Sequence, residues 1–453
     1  MPMPLQLQTL KAIQTLDLDR NRSLSAQELK AVDSNSDGKI SADEGKKVGF
    51  DSQDLLFLNK RLQEGLLPKA SAVIFSQNEM RAHGIASELN ARFAELDRDS
   101  NGLISSAESA KAIGNPAFKG ETAASVTTLY KLVSDFQGFS DDTNVLPKLP
   151  QHAWLDKFPL QNYDERGLSR RDLDAFVETA RKSPNDARVS EVFGRFSMSS
   201  YPAAGMKREL FPKGIESIRP DHIEQGEIGD CYFLAAVASQ ANTPQGKKQI
   251  MNMIKDNGNG TYTVNFPGKQ PITFHAPTEM ELSLYSNAGQ DGMWLSVLEK
   301  AYAEVTNRDT LIPLMQRSNP YDKIGNGAFL SAGVGAVSGK STDTDVLLIT
   351  SLDSLRSKLK TAMASQRVVT AGINKSLNPW NEGRTANGLP MAHAYSVLDY
   401  NAKTDEITIR NPWGHTEVNN AQGSTRDGKN DGTFKMPLSE FKATYSMITY
   451  QAR

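Results

Sequence analysis

IEQGEIGDCYFLAAVASQ, residues 223–240, decides how this chain is read. It holds Cys231, the one cysteine in 453 residues, after a Gly229-Asp230 turn and before an unbroken apolar run. The run reads as a helix that opens at the cysteine. A thiol there sits at the positive end of the backbone dipole, which favours the reactive thiolate. Upstream, Gln225 would aim its side-chain amide at the space before Cys231. With the Cys231 N–H it would form an oxyanion hole for a tetrahedral intermediate.

A thiolate nucleophile needs a base that holds its proton and later hands it to the leaving group. Of the 6 histidines, only His393, in GLPMAHAYSVLDY, lies at the mouth of a strand whose alternating residues look buried. The next strand-like run ends in IRNPWG, with Asn411. Two adjacent antiparallel strands would set the His393 ring beside the Asn411 amide, fixing its tautomer and orientation, while Trp413 would shield that bond from water.

Outward from this constellation, the chain beyond about Pro202 mixes helix patterns (231–240, 293–304) with strand-like runs (260–267, 368–374, 394–400, 406–412). The expected class is α+β. A Gly-rich run at 325–341 separates a helical front from a strand-rich back. The expected domains are therefore a helical subdomain carrying the cysteine (200–340) and a β-rich subdomain carrying the histidine and asparagine (341–453). GAVSGKS at 335–341 is no phosphate loop, because Val334 stands where the first glycine is required. Leu298-Glu299-Lys300 reads as a solvated helix face.

Residues 1–195 are polar, with short amphipathic stretches that suit an all-α region of helix–loop–helix units. A twelve-residue calcium loop needs oxygen ligands at positions 1, 3, 5, 7, 9 and 12, with a turn glycine at 6. Asp97, Asp99, Asn101, the Leu103 carbonyl, Ser105 and Glu108 meet this pattern, with Gly102 at the turn. So do Asp33, Asn35, Asp37, the Lys39 carbonyl, Ser41 and Glu44, with Gly38. A third loop, Asp17, Asp19, Asn21, Ser23, Ser25 and Glu28, has Arg22 at the turn, and weak or distorted binding is expected. Ile104 stands where a β-bridge between paired loops wants an aliphatic residue. Side-by-side pairing of the first two loops is not expected, since only residues 29–32 separate them. A degenerate fourth hand near 162–176 lacks the acidic spacing, and no metal is expected there.

Composition excludes several classes. With 51 basic and 53 acidic residues the net charge is -2, so there is neither a nucleic-acid footprint nor a polybasic membrane patch. The longest weakly polar stretch, 328–339, is far short of the ~20 apolar residues that span a bilayer. One cysteine cannot form an intramolecular disulfide, and no secretory signal opens the chain, so a cytoplasmic protein is expected. Oligomeric state is not legible.

The loops resemble those of EF-hand proteins, which implies calcium. QGEIGDCYFLAA, MWLSVLEKAYAEV (293–305), AHAYSV (392–397), RNPWG (410–414) and DGTFKMPLSEF (431–441) stand in the order and spacing of the calpain protease core, papain-like in fold. By that resemblance Cys231 is the nucleophile, His393 the general base and acid, Asn411 its orienting partner and Gln225 the oxyanion donor. Trp413 matches the tryptophan that obstructs the calpain cleft until calcium aligns the two subdomains. Glu417 and Asp431 match acidic ligands of a core calcium site, but Thr433 stands where a glutamate is expected. The resemblance thus implies a calcium-regulated or calcium-stabilised cysteine endopeptidase, cleaving protein substrates through an acyl-enzyme. Two rivals are a calcium-sensing peptide-binding module without turnover and a transglutaminase-like acyl transferase.

Overall fold

The computed structural model describes residues 23–24, 32–35, 40–47, 73–74, 77–140, 167–183, 186–205, 207–310, 319–374, 383–419 and 425–453. Chain contacts divide into two compact units, Met1–Tyr201 with Thr278–Met280, and Pro202–Pro277 with Glu281–Arg453. Together they make a mixed α+β protein.

In the first unit, helices α1 (Ala42–Lys46), α2 (Gln77–Ala91), α3 (Ser106–Ala112), α4 (Gly120–Gln137) and α5 (Arg170–Lys182) alternate with two-residue strands. Those strands are β1 (Ser23–Leu24), β2 (Val73–Ile74), β3 (Ile104–Ser105) and β4 (Gly167–Leu168). The bridge at Ile104 runs to Leu168, pairing the 97–108 loop with the degenerate fourth hand. Leu24 of the first loop pairs with Val73. Three exit helices among the described residues start the same way. Ser41, Ser105 and Ser169 cap α1, α3 and α5, and the acidic residue three positions on, Glu44, Glu108 or Asp172, reaches back to close a capping box.

The second unit is built around α6 (Cys231–Ala241), whose every residue after the cysteine is buried. An all-apolar helix must be covered on all sides. On one side lies α8 (Leu330–Ser338), which follows α7 (Trp294–Arg308) in the chain. Gly333 permits that approach: a Cβ there would lie 2.2 Å from the Tyr232 carbonyl oxygen. On another side lies an antiparallel sheet. A separate three-stranded sheet, β5 (Ile254–Asp256), β6 (Thr261–Val264) and β7 (Ile272–His275), stands apart from it in pairing.

The larger sheet contains β8 (Thr342–Val346), β9 (Val369–Ile373), β10 (His393–Asn401), β11 (Glu406–Arg410), β12 (Thr433–Pro437) and β13 (Met447–Gln451), in the order β12-β11-β10-β9-β13-β8. Alternation along β10 sends Ser396 toward α6, where its hydroxyl donates to the Ala235 carbonyl at 2.8 Å. Its neighbours Tyr395 and Val397 join the core on the opposite face, with Ile407, Ile409, Phe434 and Phe441. β9 and the first half of β10 are thereby buried on both faces, and that half of β10 packs against α6.

Candidate active site

Cys231 opens α6 at the wall of a cleft of about 710 Å³, also lined by Gln225, His393, Trp413, Phe329 and Met447. His393 is the first residue of β10, and Ser396 pairs with Arg410 across to β11. Continuing that register sets Asn411 opposite Tyr395, so His393 is its diagonal neighbour. His393 Nε2 lies 2.8 Å from Asn411 Oδ1. Asn411 is fully buried and spends its Nδ2 on the Thr416 carbonyl at 3.0 Å. Its oxygen must therefore accept, which assigns the ring proton to Nε2 and leaves Nδ1 as the basic nitrogen. The Trp413 ring lies 4.5 Å from the imidazole, tilted by 42°, and the Trp413 backbone N–H also donates to Asn411 Oδ1 at 3.1 Å.

Burial works against charge on both Cys231 and His393. It pushes the Cys231 thiol up to about 11, Asp230 adding to the effect. N–H groups of Ala394, Tyr232 and Cys231 itself pull the other way. The helix N-terminus was expected to favour the thiolate. Desolvation outweighs it, because a dipole end contributes only ~0.3–2 kcal/mol. Burial likewise lowers His393 to about 4, opposed by the Asn411 bond. Each group taken singly is thus held toward its neutral form. A stability consequence follows. Between pH 6.5 and 4 the unfolded chain takes up a proton that folded His393 refuses. Stability present above pH 6.5 is therefore lost as pH falls toward 4, by about 3 kcal/mol. Thermal melts at pH 7 and pH 4 should differ less in His393→Gln than in the wild type.

Gln225 is tied in twice. Its Nε2 donates to the Ile228 carbonyl at 2.6 Å and its backbone N–H to Pro412 at 2.8 Å. One amide N–H is left for the cleft. Its Oε1 is buried without a hydrogen bond.

Leu298-Glu299-Lys300 is not a solvated face. All three are buried, since α7 runs through the interior. Lys300 donates to Glu281 at 2.6 Å, and Glu299 accepts from the Ser286 N–H and hydroxyl at 2.7 and 2.5 Å. The Glu299 charge acts on Asp230, the buried residue before the cysteine. Burial raises both carboxyl groups; the charge of Glu299 raises Asp230 further, whereas the Ser286 bonds oppose the shift at Glu299. Nothing in the local sequence marks the pair, because its members are far apart in the chain.

Among the described residues, one trio of acidic side chains closes to metal-binding range: Asp97, Asp99 and Glu108 oxygens lie within 4.8 Å of one another. Gly102, at φ +85°, turns the loop so that its N–H donates to Asp97 Oδ2 at 3.0 Å. Glu108 Oε1 accepts from the Arg98 N–H at 2.7 Å and Oε2 from Ser105 at 2.9 Å. Asn101 and Leu103 stand between, the Leu103 N–H donating to Asn101 Oδ1 at 2.8 Å. Hard oxygen donors converging on one point suit calcium. In the second loop Glu44 is held alike, accepting from Ser34 at 2.8 Å and Ser41 at 2.9 Å. Asp33 and Asn35 are described there, whereas Asp37 and Lys39 lie outside the described residues, as do Asp17, Asp19, Asn21 and Glu28. Ser23 lies in β1.

At the candidate core site, Glu417 is buried and accepts the Gly432 N–H at 2.7 Å, leaving Oε2 without a partner. Burial, then the charges of Asp427 and Asp431, raise its carboxyl. Asp431 is exposed and accepts the Thr433 N–H. No third carboxylate closes on these two within 4.8 Å among the described residues.

Residues 203–450 match the calpain family cysteine protease, and residues 26–47 match the EF hand. Calpain-13 of Rattus norvegicus is 26% identical over 262 residues, covering 50% of this chain and 36% of that protein. Calpain-5 of Mus musculus is 27% identical over 246 residues (46% of this chain, 36% of that one). Calpain-12 of Homo sapiens is 27% identical over 270 residues (52% and 35%). The chain thus spans about a third of the length of these relatives. The family match covers more than half of the chain and the whole of the cleft described above, and on that ground the chain belongs to the calpain family of cysteine proteases.

Proposed function

We propose that this chain is a cysteine endopeptidase whose activity or stability depends on calcium. The observation that carries it is one cleft holding a lone cysteine at a helix head and a histidine hydrogen-bonded to a buried asparagine. In this reading Cys231 attacks the scissile carbonyl while His393 Nδ1 takes its proton. The thiolate and imidazolium stabilise each other at the moment neither is stable alone. Asn411 holds the ring so that Nε2–H stays engaged and Nδ1 faces the sulfur. The Cys231 N–H and the free Gln225 amide N–H receive the oxyanion. His393 then returns the proton to the leaving amine, and water releases the acyl group.

Residues 1–195 form the calcium-binding region in this proposal, and 200–340 and 341–453 the two core subdomains. Asp97, Asp99, Asn101, the Leu103 carbonyl and Glu108 would hold one ion, and Asp33, Asn35 and Glu44 part of another. Bound calcium would supply positive charge that draws these oxygens together and stiffens the helix pair. Glu108→Gln, which removes a charged ligand, is expected to weaken calcium binding about tenfold or more. Isothermal titration against the wild type checks it, and an unchanged isotherm would make this loop a turn only.

The deciding experiment is cleavage of casein with millimolar calcium or with chelator, alongside labelling of Cys231 by a peptidyl epoxide. Calcium-dependent cleavage with labelling supports the full proposal. Cleavage that survives chelator keeps the protease and removes the switch. Labelling without cleavage favours peptide capture, and neither signal sinks the enzyme.

A further inference from the structure

Arg410, the last residue of β11, is fully buried, yet its charge meets no carboxylate directly. One terminal nitrogen donates to the Asp431 carbonyl at 2.7 Å and the Thr433 hydroxyl at 3.2 Å. The other donates to the Asp221 and Ile223 carbonyls at 3.1 and 2.7 Å. One guanidinium thus holds two stretches far apart in sequence, the approach to the cysteine helix and the start of β12. Asp221, Asp431, Glu224 and Glu417 surround it and offset its desolvation through charge.

A buried cation is a poor device for stability alone, since an apolar side chain of similar volume often does as well. Location gives this one a use. Arg410 immediately precedes Asn411, and two of the three carbonyls it grips, those of Asp221 and Ile223, lie just before Gln225. Between them runs the bond from the Gln225 N–H to the Pro412 carbonyl at 2.8 Å. On its other edge the same strip pairs with Asn287, through Glu224.

We propose that Arg410 is a positioning residue that clamps the 221–225 strip to the 411–413 turn, setting the Gln225 amide in register with the His393–Asn411 pair. The clamp rests on the protease reading for its purpose, though not for its geometry. A planar five-donor fork spans both strips at once. Lysine keeps the charge but not the fork.

The test uses the full chain with Arg410→Lys, Arg410→Met and the milder Thr433→Val, each confirmed folded by circular dichroism at the assay temperature. Hydrogen exchange reads the clamp without needing activity. Amides of 221–225 and 411–416 should exchange about tenfold faster in both Arg410 variants, one hydrogen bond's worth of opening. The rest of the sheet should be unchanged, and Thr433→Val should move the same amides less. Peptide cleavage should fall about 100-fold in kcat for both Arg410 variants, with KM nearly kept. A folded Arg410→Lys with wild-type exchange in these strips would overturn the clamp. So would one with wild-type kcat, by showing that charge alone suffices. Should wild type cleave nothing, the protease reading fails while the exchange result still decides the clamp.

Discussion

Cys231→Ser is expected to abolish cleavage, lowering kcat/KM on the order of 10⁴-fold or more while leaving the fold intact. Serine nearly keeps the shape but raises the proton's cost beyond what this site can meet. His393 is a weak base here, held near 4 by burial. Against a thiol pushed up to about 11, the proposed transfer requires thiolate and imidazolium to form together and attract one another. An alkoxide would sit several units higher still. The measurement is a peptide assay with purified wild type and variant in calcium. Residual cleavage within tenfold of wild type would move the nucleophile elsewhere.

Gln225→Ala is expected to lower kcat about 10²–10³-fold with KM little changed, since the donor acts on charge that develops in the transition state. The site argues for a large effect because the amide is already oriented. Its bond to the Ile228 carbonyl at 2.6 Å and its backbone bond to Pro412 hold it on both sides. Such a donor need not reorganise during reaction. Gln225→Glu should be at least as damaging, because a carboxylate repels the oxyanion and cannot donate to Ile228. Steady-state kinetics decide it: a fall below tenfold in kcat for folded Gln225→Ala would remove the residue from the oxyanion hole. A rise in KM alone would make it a substrate-binding group instead.

How far could the chain be read without its fold? The α+β class and the family were legible because both rest on local pattern and order along the chain. An apolar run headed by Gly-Asp-Cys, period-two strands and five motifs in sequence survive without coordinates. The EF-hand character of the first unit was legible for the same reason, since ligand spacing in a twelve-residue loop is set by the backbone itself. The bridge from Ile104 was foreshadowed by an aliphatic residue at the right position. Its partner, Leu168, lies in the degenerate fourth hand near 162–176, and only the structure pairs the two.

What tertiary structure decided concerns charge in low dielectric. A helix dipole can be read from a sequence, but the desolvation that outweighs it at Cys231 depends on every element packed around α6. Glu299 and Lys300 looked solvated because charged neighbours usually are, yet α7 runs through the interior and each finds a distant partner. Arg410 passed as part of a motif until its acceptors, from both ends of the second unit, came together around it. Local sequence by itself determined which elements form and what chemistry their side chains allow. The tertiary structure alone decided which groups lose water and which carbonyls a buried cation grips, because burial belongs to the packed assembly and not to any stretch of chain.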